Sequence, residues 1–223
     1  MRTRRVVGAA ALLLAASAHA GEWVLGADGD SRHTFAYLSR IERKPLRRGA
    51  ELVFSGTVSY LHYDASDVTV SSPGIGAAVE YRVFGPRFSI AAGPGYEVRF
   101  TQRRNATTEN EIEHGPVALG NATFLVAQRT WLGGDASYSF ANEWLASRAQ
   151  FKQGISDTLR VGVEIGWSGN RDLRIRSEGG LVEIPAGSEN TWLQFRAGTA
   201  TSRDRNGSEQ SQPYYSVGIA RSF

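Results

Sequence analysis

The 223-residue chain contains no cysteine, which excludes disulfide staples, thiolate metal sites and a lipid-anchored mature terminus together. Beyond residue 20 it has no run of 18 apolar residues, so no helix that crosses a bilayer is expected. An excess of one charge sign is also missing. The 25 Lys+Arg outnumber the 22 Asp+Glu, but Arg2, Arg4 and Arg5 precede residue 20, and the rest of the chain is formally neutral. Its positive charge forms no long stripe on which counterion release could act, so nucleic acid is excluded as a partner. Metal and cofactor motifs are absent as well. Asp28-Gly29-Asp30 offers too few oxygens for a calcium loop. Gly74-Ile75-Gly76 lacks the strand-helix alternation that a dinucleotide site requires. Glu109, Glu111 and Glu113 read as a solvated acidic face of a long loop.

What is present at the front is a basic cluster followed by an apolar run from Val6 to Ala16 and the small-x-small triplet Ala18-His19-Ala20. This pattern predicts a secretory signal peptide over 1–20, export through the Sec pathway, cleavage near Ala20 and a single mature domain over 21–223. The run covers only about half of a hydrocarbon core, so it is not expected to remain as an anchor.

The rest of the chain alternates with a period of two. Leu159, Val161, Val163, Ile165 and Trp167 share one face of a candidate strand, and Arg160, Gly162, Glu164 and Gly166 the other. Leu173, Ile175, Ser177, Gly179 and Leu181 oppose Arg174, Arg176, Glu178 and Gly180 in the next. A soluble sandwich would bury the apolar faces, whereas a membrane barrel would turn them to lipid. Segments 50–63, 86–101, 158–167, 172–184 and 213–223 reach the 9 to 11 residues that a tilted membrane strand needs, longer than ordinary soluble strands. Connections near 28–33, 64–74, 101–115, 141–142, 168–171 and 202–212 include the longest polar ones. The alternate set, near 43–49, 85–86, 129–131, 153–157 and 185–189, is shorter. The pattern predicts an all-β protein, a transmembrane antiparallel β-barrel of about 12 strands (10 to 14) with both ends on one side, in the bacterial outer membrane. The segment ANEWLASRAQF fits a strand or a helix face.

The chain ends in QPYYSVGIARSF, with Tyr215, Val217, Ile219 and Phe223 in one alternating register. This resembles the C-terminal assembly signal of outer-membrane barrels, which implies the barrel assembly machinery and outer-membrane lipids as partners. Arg221 departs from that pattern, and its stem is expected to lie along lipid with the charge at the interface. A narrower resemblance rests on ASYSFANEWLASRAQF followed by LRVGVEIGWSGNRDLRIRSEGGLVEI, with SGTVSYLHYDAS matching more loosely. These stretches resemble the bacterial cellulose biosynthesis protein family BcsS. The resemblance implies a non-enzymatic outer-membrane accessory of cellulose or exopolysaccharide biosynthesis or export, partnered by polysaccharide secretion components and carrying no catalytic residue or cofactor.

With apolar faces outward, Trp144, Arg148, Lys152, Arg160, Glu164, Arg174, Arg176 and Glu178 become the candidate lumen lining. Such a lumen either grips or conducts a polar solute, with Trp144 offering a stacking face, or is filled by mutually satisfied ion pairs. Two further readings stay open: a general small-solute channel or structural barrel, and a lipid A-modifying enzyme. The last would need a histidine with Ser or Asp partners. Only His33, His62 and His114 follow residue 20, and His33 sits beside Asp28, Asp30 and Ser31 in a predicted loop.

Overall fold

The computed structural model describes residues 22–29, 33–64, 68–105, 108–186 and 191–221, save the side chains of Asp28, Ala220 and Arg221. The expected signal peptide and cleavage point, Asp30, Ser31 and Phe223 lie outside the described residues. Twelve strands follow one another: β1 (Glu22–Gly29), β2 (His33–Arg47), β3 (Ala50–Asp64), β4 (Thr69–Gly85), β5 (Phe88–Arg104) and β6 (Thr108–Ala127). The second half comprises β7 (Thr130–Ser139), β8 (Trp144–Gly154), β9 (Arg160–Gly169), β10 (Leu173–Pro185), β11 (Thr191–Asp204) and β12 (Glu209–Arg221). ANEWLASRAQF therefore resolves as the turn into β8 and its body rather than a helix, and the described residues contain no helix.

Each strand pairs antiparallel with its sequence neighbour, and β1 closes on β12 through Gly26 opposite Gly218. Closure leaves no sheet edge, so the backbone polar groups of the wall satisfy one another without water. Extending the register once round the wall returns to β1 displaced by about 14 residues, the stagger that inclined strands in a closed barrel require. β1 starts and β12 finishes at the same end, here the terminal end; the other is the distal end.

Three of the terminal-end connections are two-residue turns. Arg48-Gly49 joins β2 to β3, with Gly49 at φ 76° in the left-handed region that glycine adopts without steric cost, and Pro86-Arg87 joins β4 to β5. Distal hairpins climb further than composition suggested. The segment expected as a long loop over 101–115 is mostly strand, because β5 runs to Arg104 and β6 starts at Thr108. The 64–74 and 202–212 segments likewise become hairpin ends. Polar residues pair in strands readily once they stand in water, so polarity alone does not mark a loop.

Alternation settles which side chains face in. Groups on strands that are not neighbours can meet only on the concave face, as Lys152 of β8 meets Glu183 of β10 and Tyr214 of β12 meets Glu164 of β9. The opposite face carries an apolar belt that includes Leu25, Val58, Ile75, Ile90, Val163 and Val217. Aromatics cluster toward its margins, with Trp23, Phe54, Tyr81 and Phe88 nearer the terminal end and Tyr60, Tyr96, Trp167 and Tyr215 nearer the distal end. An apolar band with aromatic margins is the surface a bilayer requires.

Candidate functional site: a paired and capped lumen

The lumen is built in three levels. At the terminal end two charged networks occupy opposite walls. On one, Arg43 bridges Glu22 at 3.0 Å and Glu51 at 3.0 Å, and Arg82 reaches the same Glu51 oxygen at 3.1 Å. On the other, Glu183 is fully buried and accepts Lys152 Nζ at 2.9 Å and Gln194 Nε2 at 2.8 Å, with Arg160 at 3.6 Å. The Arg160 guanidinium is clasped between Trp131 and Trp192, 4.2 and 3.7 Å from their ring centres. Two indole faces and one carboxylate hold a desolvated cation that neither would hold as well alone.

At mid-height, Glu164 receives the Tyr214 hydroxyl at 2.6 Å and Gln150 Nε2 at 2.9 Å, with Arg196 at 3.5 Å. Arg148 grips Asp135 Oδ1 through Nε at 3.1 Å and Nη2 at 2.9 Å. Tyr214 can lie flat here because Gly179 and Gly198, paired across β10 and β11, leave no side chain beneath it. Aromatic cover over paired glycines restores the packing that bare backbone lacks.

The distal level is apolar. Leu61 and Tyr63 of β3 and Val70 of β4 pack with Leu173 and Ile175 of β10, Ala200 of β11 and Tyr214 of β12. Trp144 packs against this cluster, its ring stacked on His33 at 5.9 Å and tilted against Tyr63 at 5.4 Å. β3 and β10 stand nearly opposite in the barrel order, so the cluster crosses the lumen instead of lining it. Polar ties reinforce the crossing: Asn170 Nδ2 lies 3.4 Å from the Tyr63 hydroxyl, and Arg103 lies 2.6 Å from Glu113 and 3.8 Å from Asp172. Between cap and networks lie two adjoining cavities of about 400 and 240 Å³, sharing Phe35, Thr57, Ser137, Ala146 and Ser168 in their walls.

Of the expected lumen residues, Trp144, Arg148, Lys152, Arg160 and Glu164 face inward, and the last four join the ion-pair networks. Trp144 contributes to the roof, where His33 and Tyr63 already occupy its ring. Arg174, Arg176 and Glu178 are a correction. The register sets Arg176 opposite Trp167 and Glu178 opposite Ile165, and directly paired residues share a face, so all three point outward. Arg176 and Glu178 pair with each other at 3.4 Å, both more than half exposed. Gly180 is outward by the same count. The apolar partners Leu173, Ile175 and Leu181, expected toward lipid, are instead buried inside. Tyr215 and Val217 are exposed on the outer face, with Ile219 in the same register.

Glu183, Arg196, Tyr214, Tyr63 and the Glu97–Arg99 pair, 3.0 Å apart, escaped sequence reading. The available signal was a lone carboxylate or guanidinium inside an apolar stretch, as in LVEI and WLQFRAG. Among the described residues no group of three or more potential ligands is placed to hold a metal.

Closed walls, an apolar outer belt and a polar interior define an outer-membrane-type β-barrel. The β-domain of the Bordetella autotransporter BrkA superposes with a TM-score of 0.56 at 13% identity, covering 92% of this chain and 100% of that one. LpxR from Salmonella typhimurium gives 0.53 at 11%, covering 90% and 99%. The translocator domain of NalP from Neisseria meningitidis gives 0.52 at 10%, covering 98% and 94%. At such identities the likeness establishes the fold alone. No curated protein matches the chain in sequence. The profile of the cellulose biosynthesis protein BcsS matches residues 46–223, and the chain belongs to that family.

Proposed function

We propose that this protein is a non-enzymatic accessory of cellulose biosynthesis in the outer membrane, exported by a cleaved signal peptide and inserted by the barrel assembly machinery. Family membership over 46–223 carries the reading. The interior supports it, because its charged side chains are engaged in pairs and the distal level is capped by apolar packing. A general solute channel would need an aqueous path through that level. The protein's partners are then lipid and polysaccharide secretion components.

The enzyme alternative finds a weaker footing. On the outer face His62 Nδ1 lies 2.9 Å from Ser71 Oγ, but its Nε2 is 3.8 Å from Asp64, whose carboxylate accepts Thr69 Oγ1 at 2.6 Å. An aligned nucleophile-base-orienter relay needs hydrogen-bond contact at both joints. Deleting the gene from its host and restoring it on a plasmid tests the main reading. Surface cellulose, assayed after cellulase release as glucose, should fall on deletion and return on complementation. Unchanged cellulose would overturn the reading, and an altered lipid A acyl pattern would revive the enzyme.

A further inference from the structure

The charge state of the lumen says what it can hold. Each inward cation of the three levels has a carboxylate partner: Arg43 with Glu22 and Glu51, Arg82 with Glu51, Arg99 with Glu97, and Arg103 with Glu113. Arg148 has Asp135, Lys152 and Arg160 share Glu183, and Arg196 has Glu164. An acidic ligand could enter only by drawing a cation from its carboxylate and leaving that carboxylate uncompensated in a confined, low-dielectric space, and Glu80, which borders the larger cavity and accepts from Asn121 Nδ2 at 3.0 Å, adds repulsion. The space between the levels therefore selects against anions.

Its walls favour hydroxyl chemistry instead. Ser55, Thr57, Ser59, Ser137 and Ser168 border the cavities, each able to donate and accept. Phe35 and Trp144 add apolar surface toward the cap. Alternating hydroxyls with apolar edges match a neutral sugar, whose rim is polar and whose ring faces carry C–H groups. The larger volume, about 400 Å³, lies in the range of small-ligand sites, roughly 300–1,000 Å³, and the adjoining 240 Å³ extends it.

We propose that the lumen binds a short neutral oligosaccharide beneath the distal cap, entering from the terminal end. This deepens the cellulose reading and rests on it for the choice of glucan. The refolded full-length barrel in detergent micelles is titrated with cellotetraose and, separately, with tetragalacturonate, followed by calorimetry and by tryptophan emission. Ala146 borders both cavities, whereas Ala149 is on the outer face of the same strand. Ala146→Phe should fill the site and Ala149→Phe should not, and the heat-dependent gel mobility of each variant reports folding.

The expected result is saturable cellotetraose binding, with tetragalacturonate at least roughly tenfold weaker. Binding should vanish in Ala146→Phe and persist in Ala149→Phe. Absent cellotetraose binding, equal binding of the uronate, or full binding by a folded Ala146→Phe barrel would each overturn the proposal. The deletion phenotype is a separate readout. Cellulose loss on deletion without sugar binding defeats this inference alone, and sugar binding without cellulose loss defeats only the pathway assignment.

Discussion

The two ends of the lumen are filled by opposite means. At the terminal end, charges pair along each wall, mostly between strands one or two apart, and leave the centre unbridged by the cap's kind of packing. At the distal end, apolar side chains from opposite walls meet across the middle. A wall network stabilises the barrel without needing to occlude it. A cross-lumen cluster does both, so its removal should change permeability as well as stability. Variants that separate those two effects are the most direct way to break the comparison.

The largest loss is expected at Glu183. Glu183→Ala leaves Lys152 and Arg160 without their shared carboxylate and removes the acceptor of Gln194. Breaking one side of a buried ion pair costs about 3–5 kcal/mol. The midpoint of urea unfolding, followed by gel mobility, should fall accordingly, while planar-bilayer recordings stay as quiet as wild type. If conductance rises instead, the terminal network is an obstruction and the contrast between the ends fails.

Leu173→Ala comes next. Leu173 is fully buried in the cap, and truncating such a side chain costs about 2–5 kcal/mol. Here the discriminating readout is current. Leu173→Ala combined with Tyr63→Ala should produce discrete channel openings that neither wild type nor Glu183→Ala shows, because both variants thin the same crossing cluster. Persistent silence would mean that the cap is not what closes the barrel.

A smaller effect, about 1–3 kcal/mol, is expected for Gly198→Ala. Its Cβ would meet the Glu178 carbonyl oxygen and approach Tyr214 Cε1 to 2.8 Å, pushing the tyrosine off the glycine pair. Since Tyr214 both joins the cap and donates to Glu164, this variant couples the mid-level to the distal level. Tyrosine fluorescence quenching should report the displaced ring, and unchanged stability would show that the glycine pair is not a required seat.

The architecture was legible where a strand stays within the apolar belt. β9 alternates Val161, Val163, Ile165 and Trp167 against Arg160, Gly162, Glu164 and Gly166, and the structure keeps that division. β10 is the opposite case, because a period of two says which residues share a face and not which face is outside. Its apolar residues are odd-numbered on the inner face, at 173 and 175 in the cap and at 181 further down, and even-numbered at 182 and 184 in the belt. The first set, taken alone, points the wrong face to lipid. Only the pairing with β9 resolves it, and register is a property of two strands. The cap was invisible for a related reason: Tyr63 and Leu173 are 110 positions apart, and nothing local in either segment announces the other.

The orientation of β10 can be tested with almost no energetic consequence. Arg176 is more than half exposed on the outer face, opposite Trp167 at the distal margin of the belt, and its pair with Glu178 at 3.4 Å is loose, so replacing it should alter stability by less than about 1 kcal/mol. Its neighbour Ser177 faces the lumen. In a chain with no native cysteine, Arg176→Cys and Ser177→Cys each supply one thiol. Added to the distal side alone, a bulky maleimide that does not cross the membrane should label Arg176→Cys rapidly and Ser177→Cys slowly, because the cap stands between the distal solution and position 177. Opening that cap with Leu173→Ala should accelerate labelling at 177 and leave 176 unchanged. Fast labelling at 177 in the otherwise unaltered barrel would reverse the facing of β10, and with it the assignment of Leu173 and Ile175 to the interior.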